Sequence, residues 1–181
     1  MPRINPIDPA AATGDAAAHI ATSRKMFGTT LNLVTTAAHS PAVVGALLAM
    51  VANLSKSSLG AKTGELIAIG VAEANGCEYC LSAHTAIGTS LGLTPVALEA
   101  ARVGKSADGK TAAVLRLATA INESRGRIDD VTLAAARLAG LTDAEIVEVV
   151  GLVALNVFTN YLNNVAKTAL DFPAVPASAA A

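Results

Sequence analysis

Basic charge is in short supply in this chain. Its 13 Lys and Arg stand against 14 Asp and Glu, for a net charge of -1. No positive field exists to hold nucleic acid or an anionic membrane surface. Charge of either sign is scarce at 15%, while hydrophobic residues reach 52%. A monomer of this size usually carries more charge, so apolar surface buried between subunits, and hence a homo-oligomer, is expected. Also missing is a cationic head followed by an apolar core in residues 1–18, so no signal peptide is read there. A clean run of about 20 apolar residues is missing as well. Residues 26–55 are uncharged but broken by His39, Ser40 and Pro41, and 149–166 carry Asn156, Asn160, Asn163 and Asn164. These absences predict a cytoplasmic protein, in which thiols rest reduced and any disulfide is transient and catalytic.

Strand-like alternation is nearly absent from a chain that is alanine-rich, poor in aromatics and without Trp. Helix punctuation recurs instead, which predicts an all-α fold of about seven or eight helices. Asp15 can cap a helix carrying Ile20 and Phe27. Ser40-Pro41 is an N-cap followed by proline, opening a helix with Val43, Val44, Leu47, Leu48, Val51 and Leu54 inward. Thr63 can cap the next, with Glu65, Leu66, Ile69 and Glu73, and Asn75-Gly76 stops it. A helix to about Gly92 follows, then a short one from Thr94-Pro95. After a polar loop, another runs from Lys110 to Arg125. A short one opens at Asp129 or Asp130 and ends at Gly140. Thr142 and Glu145 form a capping box for a last helix to about Leu170. At 181 residues the chain is expected to be one domain or a domain with arms. An N-terminal arm is expected over 1–14, the helical domain over 15–172, and a Pro/Ala-rich tail over 173–181, docked on a neighbour or loose.

Both cysteines and one of the three histidines fall in Cys77-Glu78-Tyr79-Cys80-Leu81-Ser82-Ala83-His84. Two thiols three residues apart can close a reversible disulfide. Helix-start placement after Asn75-Gly76 favours a thiolate through the dipole and free N–H groups. His84 lies one turn beyond Cys80 on the same face, placed to take its proton or return one to a leaving oxygen. A turn at Asn75-Gly76 could fold Glu65 back near His84. Helix position favours Cys77 as the attacking thiol and side-chain spacing favours Cys80. Cys80 is preferred, because an attacking thiol that expels an oxygen needs a proton delivered as well as a thiolate.

Blander readings exist for the same residues. The cysteines can be small buried hydrophobes, His84 a satisfied core histidine, and Glu65 a solvated first-turn carboxylate. Zinc could use Cys77, Cys80 and His84 with Glu65 or Glu73, but a second CxxC or HxxxH is missing, and His19 and His39 lie far off in sequence. No metal and no cofactor is expected. The stretch 129–150 has helix-turn-helix form with Gly140 in the turn. Its would-be recognition helix begins with Asp143, Glu145 and Glu148, and acid there repels phosphate.

Glu65, followed after eleven residues by Cys77-x-x-Cys80-x-x-x-His84, resembles the active-site signature of the alkylhydroperoxidase D-like (AhpD-like) proteins of the carboxymuconolactone decarboxylase superfamily. Residues 32–41 (NLVTTAAHSP) and 156–173 (NVFTNYLNNVAKTALDFP) also resemble family segments. The resemblance implies an all-helical fold, obligate oligomers such as trimers or hexamers, and peroxide reduction through the two cysteines. By position, Cys80 would be the peroxidatic thiol and Cys77 the resolving one, with His84 and Glu65 as a proton relay. The family's decarboxylase branch lacks the dithiol, which argues against lactone decarboxylation. Tyr79 occupies a place where a second relay histidine can occur, as tyrosine does in other peroxidase-like members. A phenol with a pKa near 10 donates a hydrogen bond at neutral pH but is no base.

The expected activity is therefore thiol-dependent hydroperoxide reduction with an antioxidant role. A thioredoxin-like or lipoyl-type dithiol would restore the pair by exchange. The alternatives are a general disulfide oxidoreductase and a non-catalytic oligomeric module whose dithiol senses redox state or binds metal.

Overall fold

The computed structural model describes residues 1–178, and the last three residues of the expected tail lie outside it. Among the described residues there are nine helices and no strand: α1 (Gly14–Phe27), α2 (Asn32–Ala37), α3 (Pro41–Leu54), α4 (Gly60–Ala74), α5 (Glu78–Ser90), α6 (Pro95–Arg102), α7 (Gly109–Ser124), α8 (Asp130–Leu138) and α9 (Asp143–Ala166).

Side-chain caps fix many of the helix starts. Asp108 accepts from Thr111 N at 2.8 Å and Asp129 from Thr132 N at 2.8 Å. Ser40 and Thr94 do the same, each followed by proline at the first turn. Thr142 and Glu145 close a reciprocal capping box at the start of α9.

Several expectations need correction. The count is nine rather than seven or eight, because α2 has only six residues and its N-cap, Leu31, offers no side-chain acceptor. Thr13, not Asp15, is the N-cap of α1. The start of α4 lies at Gly60, so Thr63 is inside its first turn. Val43 faces outward. And α9 stops at Ala166, where Lys167 turns left-handed with φ 48°, before the expected Leu170.

The core is built on α4 and α9. Leu66 to Ala72 of α4 is buried almost without interruption, because α5, α6, α7 and α9 cover it from different sides. Among the described residues α9 is the helix long and apolar enough to cross a membrane by length and composition, yet it packs against α2, α3, α4, α5 and α7. A second apolar cluster lies under α1–α3: Ile20, Val34, Val44, Leu47 and Leu48, with Leu155, Phe158 and Leu162 of α9 against it. The seam between the two clusters matters for the site.

Both ends of the chain dock on this body. Arg3 N and Ile4 N donate to Ala166 O, and Ile7 N donates to Thr35 O. His39 Nε2 meets Asn5 O at 2.8 Å, and the His19 ring packs over Gly45, where a Cβ would lie 3.0 Å from Nε2. Residues 171–178 are tied down by hydrogen bonds. They run over α5 and α6 of their own chain. Val175 N donates to Ser82 Oγ at 2.9 Å, Ser178 N to Glu73 Oε1 at 2.8 Å, and Arg102 Nη2 to Pro176 O at 2.9 Å.

Candidate active site

The α4–α5 turn sets the dithiol. Gly76 takes φ 59°, a left-handed conformation that glycine adopts at little cost. Cys77 N then donates back to Ala72 O at 2.9 Å and Gly76 N to Glu73 O at 3.1 Å, which satisfies the last carbonyls of α4. Cys77 is thereby made the N-cap of α5, its Sγ accepting from Cys80 N at 3.3 Å. Both cysteines are free thiols and both are buried. Cys77 Sγ donates to Cys80 Sγ at 2.6 Å. Asn163 Nδ2, from α9, donates to the same Cys80 sulfur at 3.2 Å.

These contacts push the two thiols apart. For Cys77, the hydrogen bond to Cys80 and burial both favour the protonated form, and its pKa rises far above its ordinary value. For Cys80, burial opposes ionisation. The Cys77 thiol, the charge of His84 and the amides of Asn163 and Asn160 outweigh it and bring the pKa down from 9.0 to about 6. Two titratable groups driven in opposite directions are what a nucleophile and its partner need at neutral pH.

His84 Nδ1 and Glu65 Oε2 lie 2.7 Å apart, which leaves Nε2 as the nitrogen free to exchange a proton. Burial opposes protonation of His84, but the adjacent Glu65 carboxylate prevails and raises its pKa above 6.5. Cys80, His84 and Glu65 share the wall of one cavity of about 250 Å³. It opens along the seam between the two apolar clusters, with Val34, Leu47 and Val51 on one side and Leu54, Ala83 and Leu152 on the other. Cys77 does not line it.

Tyr79 also lines the cavity, but its hydroxyl is engaged. It donates to Asp171 Oδ2 at 2.6 Å and accepts from Leu33 N at 3.4 Å. Burial and the Asp171 carboxylate push its pKa far above the usual phenol value, so it stays protonated. Asp171 Oδ2 accepts from Asn32 N as well, at 2.8 Å, and Phe172 packs edge-on to the Tyr79 ring. Tyr79 therefore holds the α2 entry and the C-terminal segment against α5.

Among the described residues no three His, Cys, Asp or Glu side chains are grouped to hold a metal ion. Glu73, weighed above as a fourth zinc ligand, is instead paired with Arg102 Nε at 2.9 Å.

The site also includes Asn160, Asn163 and Asp171, which sequence reasoning did not place there. The asparagines had a signal: Asn156, Asn160 and Asn163 recur at helical spacing on an otherwise apolar helix, so they form one polar stripe. Asp171 had none, since it lies beyond the helix and reaches Tyr79 only through the tertiary fold.

Residues 41–123 match the model of the Carboxymuconolactone decarboxylase family. Among solved structures, the chain is similar to an alkylhydroperoxidase AhpD core, an uncharacterised peroxidase-related protein from Ralstonia eutropha JMP134. The two are 22% identical over 94% of this chain and 92% of that one, with a TM-score of 0.83. A peroxidase-related protein from Silicibacter sp. TM1040 is 22% identical over 92% of each chain, with a TM-score of 0.77. The debrominase Bmp8, solved as a cysteine-to-alanine variant in complex with 2,3,4-tribromopyrrole, is 17% identical over 93% of this chain and 91% of that one, with a TM-score of 0.78. No curated protein matches the chain. At these identities the structural likeness establishes the AhpD fold. The chain thus has an AhpD-like fold, and its residues 41–123 are similar to the carboxymuconolactone decarboxylase family.

Proposed function

We propose that the protein reduces organic hydroperoxides through Cys80 and Cys77 and serves an antioxidant role. The observation that carries this reading is a buried Cys80 of lowered pKa at the wall of an apolar cavity that it shares with the His84–Glu65 pair. The Cys80 thiolate attacks the terminal peroxide oxygen, the O–O bond breaks, and a sulfenic acid forms. The departing alkoxide takes a proton from His84, whose imidazolium is sustained by Glu65. The Cys77 sulfur then attacks the sulfenic sulfur, the hydroxyl leaves as water with the Cys77 proton, and a disulfide remains. A thioredoxin-like or lipoyl-type dithiol returns the pair to thiols, itself becoming a disulfide. The cytoplasm suits this chemistry, because its thiol pools keep such a pair reduced between turnovers.

The natural substrate is apolar on this reading, since carbon dominates the cavity lining. A second reading draws on the same feature and on the debrominase: thiol-driven removal of halogen from an apolar ring. Steady-state assays with a dithiol donor separate the two. Organic hydroperoxide consumption by wild type and its loss in Cys80→Ser support the first reading. Halide release without hydroperoxide consumption would replace it with the second.

We also propose a homo-oligomer, a trimer or hexamer by analogy with the family. Val147, Val150, Tyr161 and Val165 form an exposed apolar stripe along α9, and Val131 and Leu138 are exposed on α8. Sedimentation of a monomer of 18.1 kDa at micromolar concentration would contradict it.

A further inference from the structure

Asparagines surround the dithiol in a pattern that the capping and packing of α9 do not require. Asn160 and Asn163 are buried, at 0% and 3% exposure, in the middle of an apolar helix. Asn163 Nδ2 is spent on the Cys80 sulfur. Asn160 is held from the other side: Asn75 Nδ2 donates to its Oδ1 at 2.9 Å. Asn75 is itself fixed, exchanging amide hydrogen bonds with Asn122 at 3.3 and 3.4 Å and accepting from Asn164 Nδ2 on its backbone oxygen. With Oδ1 committed to Asn75, the Nδ2 of Asn160 must point away from it, and this buried donor has no partner among the described residues. A buried N–H left unpaired is destabilising, whereas a sulfur carrying negative charge would satisfy it.

We propose that Asn163 and Asn160 form an amide cradle for the Cys80 thiolate, with Asn163 a catalytic residue that donates directly to the reacting sulfur and Asn75 a positioning residue that aims Asn160. The proposal rests on the reading of Cys80 as the attacking thiol. It adds a stabiliser that does not titrate. The titratable groups around the sulfur are Cys77, Tyr79 and His84 on α5 and Glu65 on α4. From α9 come only amides and the Thr159 hydroxyl. His84 loses its charge as pH rises, whereas the amides hold the thiolate at every pH. The lowered pKa of Cys80 agrees with this, because both asparagines contribute to it.

The test is the pH profile of Cys80 alkylation by iodoacetamide in the reduced protein, with the modified peptide identified by mass spectrometry. Asn163→Leu keeps the volume and removes the donor. It should move the midpoint up by about one pH unit or more, the size expected for a hydrogen bond to a charged group. Asn75→Ala should move it in the same direction by less. Helicity and melting temperature establish that each variant is folded, and Asn163→Ala replaces the leucine variant where that one does not fold. A midpoint equal to wild type in a folded Asn163 variant overturns the proposal. So does a downward shift, which would mean that the amide accepts from the Cys80 thiol. Peroxide turnover does not enter this readout. A wild-type midpoint near 6 without turnover would overturn the proposed function and leave the cradle standing.

Discussion

At the scale of single residues, the chemistry depends on two charges lying close together. Glu65 keeps His84 protonated above its usual pH, and the imidazolium helps hold Cys80 as a thiolate. Above about pH 6 Cys80 is ionised, and the proposed turnover should rise through that value. Once pH exceeds the raised pKa of His84, proton delivery to the leaving oxygen fails, so the full profile is bell-shaped. In Glu65→Gln the carboxylate is gone, the imidazole deprotonates at lower pH, and the Cys80 midpoint moves upward. Turnover at neutral pH should fall by about 10²–10⁴-fold, the usual weight of general acid–base help. Alkylation curves of wild type and Glu65→Gln that superimpose would remove Glu65 from the mechanism. The pairing was legible in the chain, because Glu65 and His84 stand at similar distances either side of the Asn75-Gly76 turn. The asparagine cradle was harder to read. Of the four asparagines that interrupt the apolar run, and so argue against a membrane span, Asn163 contacts the sulfur and Asn160 is proposed to, while Asn156 and Asn164 bond to backbone oxygens.

At the scale of elements, helices with a strong start signal were legible and the short one was not. Pro41, Asp129 and the Thr142 box mark their helices through caps that the structure retains. Six-residue α2 has neither a cap nor a full amphipathic period, and its place is set by tertiary bonds from Tyr79 and Asp171. The C-terminal segment followed no local rule either. Proline and alanine say little about docking, and it is the Glu73–Arg102 pair, with side chains 11% and 16% exposed, that binds Pro176 and Ser178. Burial works against ionisation of Glu73, but Arg102 and the Ser178 N–H hold its pKa below 4.5. Its contribution to stability is therefore present above that value and is lost as pH falls below it. Glu73→Gln leaves a nearly buried arginine without its anion. It should cost about 3 kcal/mol, or about 6–12 °C in Tm for a chain of this length. Hydrogen exchange at Val175 and Ser178 should rise more than in α7. Equal protection in variant and wild type would show that the segment is held by other contacts.

At the scale of the whole molecule, two apolar clusters meet along a seam, and the reactive sulfur lies where they leave a cavity. Helix punctuation indicated an all-helical body, and composition an excess of apolar surface. Neither could indicate that the body is divided, because the division depends on α2 and α3 packing against α9 rather than against α4, with α1 on their far side. The division leaves Cys80 on the cavity wall while Cys77 stays behind it, out of the cavity, as the proposed route of an apolar substrate to Cys80 requires. The central claim is that Cys80 attacks first and Cys77 resolves. One single-turnover measurement tests it directly. Fully reduced wild type, Cys77→Ser and Cys80→Ser are each mixed with one equivalent of an organic hydroperoxide, with dimedone present to trap sulfenic acid, and the products are mapped by mass spectrometry. The account predicts an intramolecular Cys77–Cys80 disulfide in wild type, a dimedone adduct on Cys80 in Cys77→Ser, and unconsumed hydroperoxide in Cys80→Ser. An adduct on Cys77 in Cys80→Ser, formed as fast as the wild-type disulfide, would contradict it.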